Sequence, residues 1–268
     1  MEKVLLFVAI GVFVLGAHAQ KGLTSRQIYE SNRGAIVQIG IGNKFSGNGF
    51  IVSSDGLVLT ANHVVATPES QRKTYATNLN VVVNGKVYPA QPMETVISDD
   101  MANFDFAFLK IDASNLPHLT LGTWDEVEIG DKVTMFPSWP GIGCILLEGT
   151  VSNRMTQQTF LGPKPLKSII FQAPIRKGFS GSPIFSRQGH VVGIVDTLVF
   201  GISPALAQLG TKWSPGPGKG DFVMGGASLG GSLTEIINNL DQNLISGLGS
   251  GVAIDYAKKQ QKAAPARP

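Results

Sequence analysis

The stretch Lys177-Gly178-Phe179-Ser180-Gly181-Ser182-Pro183-Ile184-Phe185 sets the hardest condition on the fold. A serine among glycines, followed by Ser-Pro and an apolar run, reads as a nucleophile loop. A serine hydroxyl attacks only when a neighbouring base takes its proton. Alone, such a run is an ordinary surface turn, so the reading depends on finding a base and a carboxylate to orient it. Beyond the first nineteen residues the chain has three histidines: His63, His118 and His190. His63 ends the apolar run Leu59-Thr60-Ala61-Asn62-His63, and Asp105 opens the strand-like run Asp105-Phe106-Ala107-Phe108-Leu109-Lys110-Ile111. Any fold that uses these three residues must gather side chains lying far apart in the sequence.

Their order, His63, Asp105, Ser180, excludes an α/β-hydrolase elbow, in which the serine stands in G-x-S-x-G and the histidine comes last. Here the fifth position is Ser182, and the only later histidine, His190, is too close to the serine in sequence. The order is that of chymotrypsin-type proteases. Further segments agree. Gly47-Asn48-Gly49-Phe50-Ile51-Val52-Ser53-Ser54-Asp55-Gly56-Leu57-Val58-Leu59-Thr60 leads into the histidine; Ile129-Gly130-Asp131-Lys132-Val133, Gly149-Thr150-Val151-Ser152, Gly193-Ile194 and Gly251-Val252-Ala253-Ile254 follow. On these residues the chain resembles a trypsin-like (chymotrypsin-fold) serine protease of the HtrA/Deg type, as the protease domain without a PDZ domain.

The resemblance implies an all-β fold of two six-stranded antiparallel β-barrels with a few short helices. Barrel one would cover about residues 34–120 and barrel two about 121–257, within a domain spanning 20–257. It implies that His63 is the general base, that Asp105 orients it, and that Ser180 attacks a peptide carbonyl. The backbone N–H groups of Gly178 and Ser180 would form the oxyanion hole. Pro174 stands where trypsins that cut after Arg or Lys carry a carboxylate, which points to an apolar or small P1 residue. Val195, Thr197 and Leu198 would form the pocket wall. Three positions depart from the family pattern: Phe179 and Ser182 replace the usual Asn or Asp and Gly around the nucleophile, and Asp196 falls where relatives carry a neutral residue. These departures define the alternative, a catalytically impaired, protease-like peptide-binding protein.

Met1 to Ala19 reads as a signal peptide: Lys3, an apolar stretch from Val4 to Leu15, and Ala17-His18-Ala19 for cleavage after Ala19. The apolar stretch is short for a membrane span, so the expected product is secreted or periplasmic, with no stable membrane span. Cys144 is the only cysteine, which excludes an internal disulfide and reads as a small apolar residue or an intermolecular bridge. The net charge of +3 comes from Lys258, Lys259, Lys262 and Arg267 near the C-terminus; the rest is close to neutral. That argues against nucleic acid as a partner. Protein or peptide substrates are the expected partners, with a homo-oligomer as a further possibility. No cofactor and no metal are expected, since no zinc-ligand pair stands at short spacing.

The pattern also predicts a helix over Ser25–Ser31 capped by Thr24 or Ser25, and hairpins at Ser53–Gly56 and at Asn84-Gly85. It predicts a strand over Val96–Ser98, a surface loop over Thr156–Lys167, a helix over Ser232–Leu244, and a disordered basic tail over 258–268.

Overall fold

The computed structural model describes residues 22–67, 74–94, 104–158, 165–198, 223–224, 227–228, 231–232, 234–236 and 245–263. The leader at 1–19, the Val96–Ser98 strand and most of the Ser232–Leu244 helix lie outside these residues. Helix α1 (Ser25–Asn32) opens the described chain. Thr24 caps it as expected, in a reciprocal box: the Gln27 N–H donates to the Thr24 hydroxyl, and the Thr24 N–H to the Gln27 side-chain oxygen at 2.9 Å.

Six strands then close on themselves: β1 (Ile36–Ile41), β2 (Lys44–Ser53), β3 (Leu57–Thr60), β4 (Leu79–Val83), β5 (Lys86–Pro92) and β6 (Ala107–Ile111), in the order β1-β2-β3-β6-β5-β4. Past β7 (Lys132–Met135) comes a small hairpin of β8 (Ser138–Trp139) and β9 (Gly143–Cys144). Next are β10 (Leu147–Gln158), β11 (Pro165–Arg176), β12 (Pro183–Phe185) and β13 (Val191–Leu198). The pair β14 (Val223–Met224) and β15 (Ala227–Ser228) precedes β16 (Ile245–Ala253). The second barrel closes in the order β10-β11-β16-β13-β12-β7. Every pairing is antiparallel, and closure leaves neither sheet an open edge.

Burial explains why the barrels stay together. In β2 every residue from Gly47 to Val52 is buried, because one face fills barrel one and the other meets barrel two. The core of barrel one runs on without a break into Phe136, Phe185, Val191, Ile194 and Val252 of barrel two. Phe136 stacks on Phe185 at 4.6 Å and receives the edge of Tyr29 from α1 at 5.4 Å. Cutting such a buried ring back to alanine typically costs about 3–5 kcal/mol.

Three expectations need correcting. The strand expected from Asp105 begins at Ala107, because Asp105 takes a left-handed turn (φ 46°) that no strand accommodates. The loop expected over Thr156–Lys167 is ladder at both its ends, where β10 and β11 pair as far as Gln158 and Pro165; residues 159–164 lie outside the described residues. The tail expected to be disordered over 258–268 is helical as far as it is described, in α3 (Asp255–Ala263). It is held because Tyr256 stacks on Phe104 at 3.9 Å and the Lys258 ammonium donates to the carbonyls of Leu121 and Gly122 at 2.9 and 3.0 Å. No helix among the described residues is long and apolar enough to cross a membrane.

Candidate active site

His63 lies in a single helical turn, α2 (Asn62–Val65), rather than at the end of β3. The turn docks onto the Asp105 bend. The Asn62 N–H donates to the Asp105 carbonyl at 3.1 Å, and the His63 N–H donates to Asp105 Oδ1 at 3.0 Å. The other carboxylate oxygen, Oδ2, accepts from His63 Nδ1 at 2.6 Å. One buried carboxylate therefore fixes both the backbone and the ring of His63, and this hydrogen bond places the ring proton on Nδ1. Phe104 and Phe106 on either side of Asp105 are buried and clamp the bend. The left-handed conformation is one that aspartate tolerates better than most residues.

Ser180 comes from the loop between β11 and β12, across the seam. Over Arg176–Phe179 the Phe179 N–H donates to the Arg176 carbonyl at 3.2 Å, and Gly178 has φ 89°. A positive φ at the third residue alone marks a type II turn, a conformation that glycine adopts without strain. Neither the Gly178 nor the Ser180 N–H has an acceptor among the described residues. Phe179 is buried in the barrel-two core and meets Trp139 edge-on at 6.1 Å. An apolar anchor thus stands where the family pattern has a polar side chain. Gly181 lies so close to β2 that a Cβ there would be 2.0 Å from the Asn48 carbonyl oxygen.

Asn48 holds the loop in place, and the sequence reading gave it no role. It is fully buried. Its side-chain amide donates to the Gly178 carbonyl at 2.7 Å, and its side-chain oxygen accepts the Ser138 N–H at 2.7 Å. Its own N–H donates to the Ser180 carbonyl at 2.8 Å. The available signal was a polar residue between two glycines in an otherwise apolar strand.

Asp196 completes the cluster. The β13–β16 register shifts between Val195 and Thr197, so Asp196 is the extra residue of a bulge. Bulges re-aim side chains beside functional sites. Its Oδ1 lies 3.8 Å from His63 Nδ1, and its backbone carbonyl accepts the Ser180 hydroxyl at 3.1 Å. Among the described residues the Ser180 hydroxyl makes no hydrogen bond to His63. One donor atom each from His63, Asp105 and Asp196 falls within 4.8 Å of the others, a set that could hold a metal ion.

Of the expected pocket residues, Val195 is buried in the barrel-two core beside Val192 and Ile184. Pro174 is exposed and lines a cavity of about 630 Å³ with Gln172, Ala173 and Gly247, a groove that none of His63, Asp105 and Ser180 lines. The Thr197 and Leu198 side chains lie outside the described residues.

Residues 47–194, just over half of the chain, match the trypsin-like peptidase domain family. The chain belongs to the trypsin-like peptidase domain family. Among curated proteins this peptidase is 33% identical over 155 residues to a probable periplasmic serine endoprotease, DegP-like, of Chlamydia pneumoniae, covering 58% of this chain and 29% of that one. It is 32% identical over 148 residues to the protein of the same description from Pseudomonas putida, covering 55% and 28%. The matches thus span less than a third of these relatives. Among solved structures the peptidase resembles the HtrA-type protease AlgW with decapeptide, at a TM-score of 0.58 and 19% identity, covering 90% of this chain and 67% of that one. That likeness is one of fold.

Proposed function

We infer that the chain is an exported serine endopeptidase of the HtrA/Deg kind, working through His63, Asp105 and Ser180. The single observation carrying this is the 2.6 Å bond from His63 Nδ1 to Asp105 Oδ2, set at the barrel seam facing the Ser180 loop. With its proton held on Nδ1, the imidazole has Nε2 as a lone-pair acceptor. The mechanism requires the Ser180 hydroxyl to turn from the Asp196 carbonyl to that acceptor, and a serine side chain has three staggered rotamers for doing so. His63 then takes the proton as Ser180 attacks a peptide carbonyl. The Gly178 and Ser180 N–H groups hold the oxyanion, and His63 protonates the leaving amine. Losing one such donor typically costs about 3 kcal/mol.

Protein or peptide substrates suit this chemistry, and the leader at 1–19, with cleavage after Ala19, suits a periplasmic or secreted product. The impaired peptide-binding alternative draws on one observation, the Ser180 hydroxyl bonded to the Asp196 carbonyl. Fluorophosphonate labelling of the wild type beside Ser180→Ala decides between them. Labelling and casein cleavage by the wild type alone support the peptidase; neither from the wild type sinks it.

A further inference from the structure

We propose that His63, Asp105 and Asp196 bind a zinc-class divalent cation, and that the bound ion switches the peptidase off by occupying the wrong nitrogen of its base. The inhibitory consequence rests on the peptidase reading above; the binding does not.

Zinc takes imidazole nitrogen and carboxylate oxygen at about 2.0–2.2 Å, in tetrahedral sites often completed by water. Tetrahedral ligands at that length lie about 3.4 Å from one another. His63 Nδ1 lies 2.6 Å from Asp105 Oδ2 and 3.8 Å from Asp196 Oδ1, so the two spacings bracket the ideal one. The three donors all fall within 4.8 Å of each other, so side-chain shifts on the order of 1 Å seat an ion. Asp105 Oδ1 is already held by the His63 N–H at 3.0 Å, which steadies the neighbouring oxygen as supporting contacts around metal ligands do. Two carboxylates also supply charge to match a dication. The way in lies along the cleft, because the His63 and Asp196 side chains are 26% and 22% exposed while Asp105 is 6% exposed.

The consequence follows from tautomers. An ion on Nδ1 displaces the proton that Nδ1 shares with Asp105, and the neutral ring then carries its proton on Nε2. That nitrogen becomes a donor, so it cannot accept the Ser180 proton, and the hydroxyl stays inactive. Asp196 makes the site: without it, one nitrogen and one buried carboxylate remain. The ligands are spread over β13, the Asp105 bend and α2, so no short spacing in the sequence announces them.

The test is isothermal titration of tag-free Ser180→Ala protein with zinc chloride, which reads binding without turnover. One site per chain is expected, weakened at least about 100-fold in Ser180→Ala with Asp196→Asn, as loss of a supporting or direct ligand does. In the wild type, zinc should block fluorophosphonate labelling and a chelator should restore it, a readout that needs no further variant. X-ray absorption at the zinc edge should show nitrogen and oxygen ligands only. Binding that survives Asp196→Asn, or a sulfur ligand from Cys144, overturns the proposal, as does labelling indifferent to saturating zinc. A chain that binds zinc through Asp196 yet never labels would refute the peptidase reading and leave the metal site standing.

Discussion

The two barrels share a strand count but build their halves of the site differently. Barrel one makes its pair from its own parts: the Asp105 bend caps the α2 turn, and both oxygens of one carboxylate settle His63. Barrel two makes its half by leaning on its neighbour. The Ser180 loop is bonded by Asn48 of β2, pressed by Trp139 and anchored by the buried Phe179 ring. The proposed acid–base pair is therefore a local structure, and the proposed nucleophile is a product of the interface. Damage to barrel one's pair should remove chemistry and spare the fold, whereas damage at the seam should cost both together.

The sharpest test of the first half is Asp105→Asn. The shape survives but the favoured tautomer is lost, and kcat should fall about 10⁴-fold, with the folded state measurable by circular dichroism. An activity within tenfold of wild type would mean that Asp196 can replace Asp105, and the contrast would fail. Next in size is Asn48→Ala, which strands the Gly178 carbonyl and the Ser138 N–H, both inside the seam. Each buried orphan costs about 1–3 kcal/mol. Loosening an oxyanion donor should lower kcat about 10²–10³-fold. Thermal melting and steady-state kinetics on one preparation would show whether the two losses arrive together. A normal kcat in a destabilised protein would break the claimed link between Asn48 and the nucleophile loop.

A smaller effect is expected from Tyr256→Ala in α3. It removes the stack on Phe104, next to Asp105, at a cost of about 1–3 kcal/mol from lost burial and ring contact, with only a few-fold change in kcat. Urea unfolding would measure it. The smallest concerns Tyr75, whose buried hydroxyl has no hydrogen-bond partner among the described residues. Burial first, and then the charge of Glu94, push its phenol up to about 12. An unfolded tyrosine titrates near 10. The folded form holds the proton more tightly, so this group's contribution is complete below about pH 10 and is lost as pH climbs toward 12. Tyr75→Phe should flatten that alkaline decline and leave stability at pH 7 within about 1 kcal/mol of wild type; an unchanged decline would refute the assignment.

The same contrast explains what could be read in advance. Alternating apolar runs and their turns foreshadow the barrels, because one period decides which face is buried. The site residues His63, Asp105 and Ser180 stand out because each sits in an unusual local run. Asn48 did not, since its partners are the Gly178 carbonyl and the Ser138 N–H, which no local pattern reveals. The aim of Asp196 was not legible either, because its bulge is a property of pairing with β16 and not of β13 itself. The α3 helix was missed for a similar reason: its lysines look solvated, and the Leu121 and Gly122 carbonyls that accept from Lys258 belong to the connection between barrels.

The stacking of Tyr256 on Phe104 ties the Asp105 bend to a helix that lies beyond both barrels in the sequence. The ring that steadies the Asp105 bend is made only after both barrels have been translated. The bend that sets the His63 ring therefore gets its last aromatic support from a residue that follows β16.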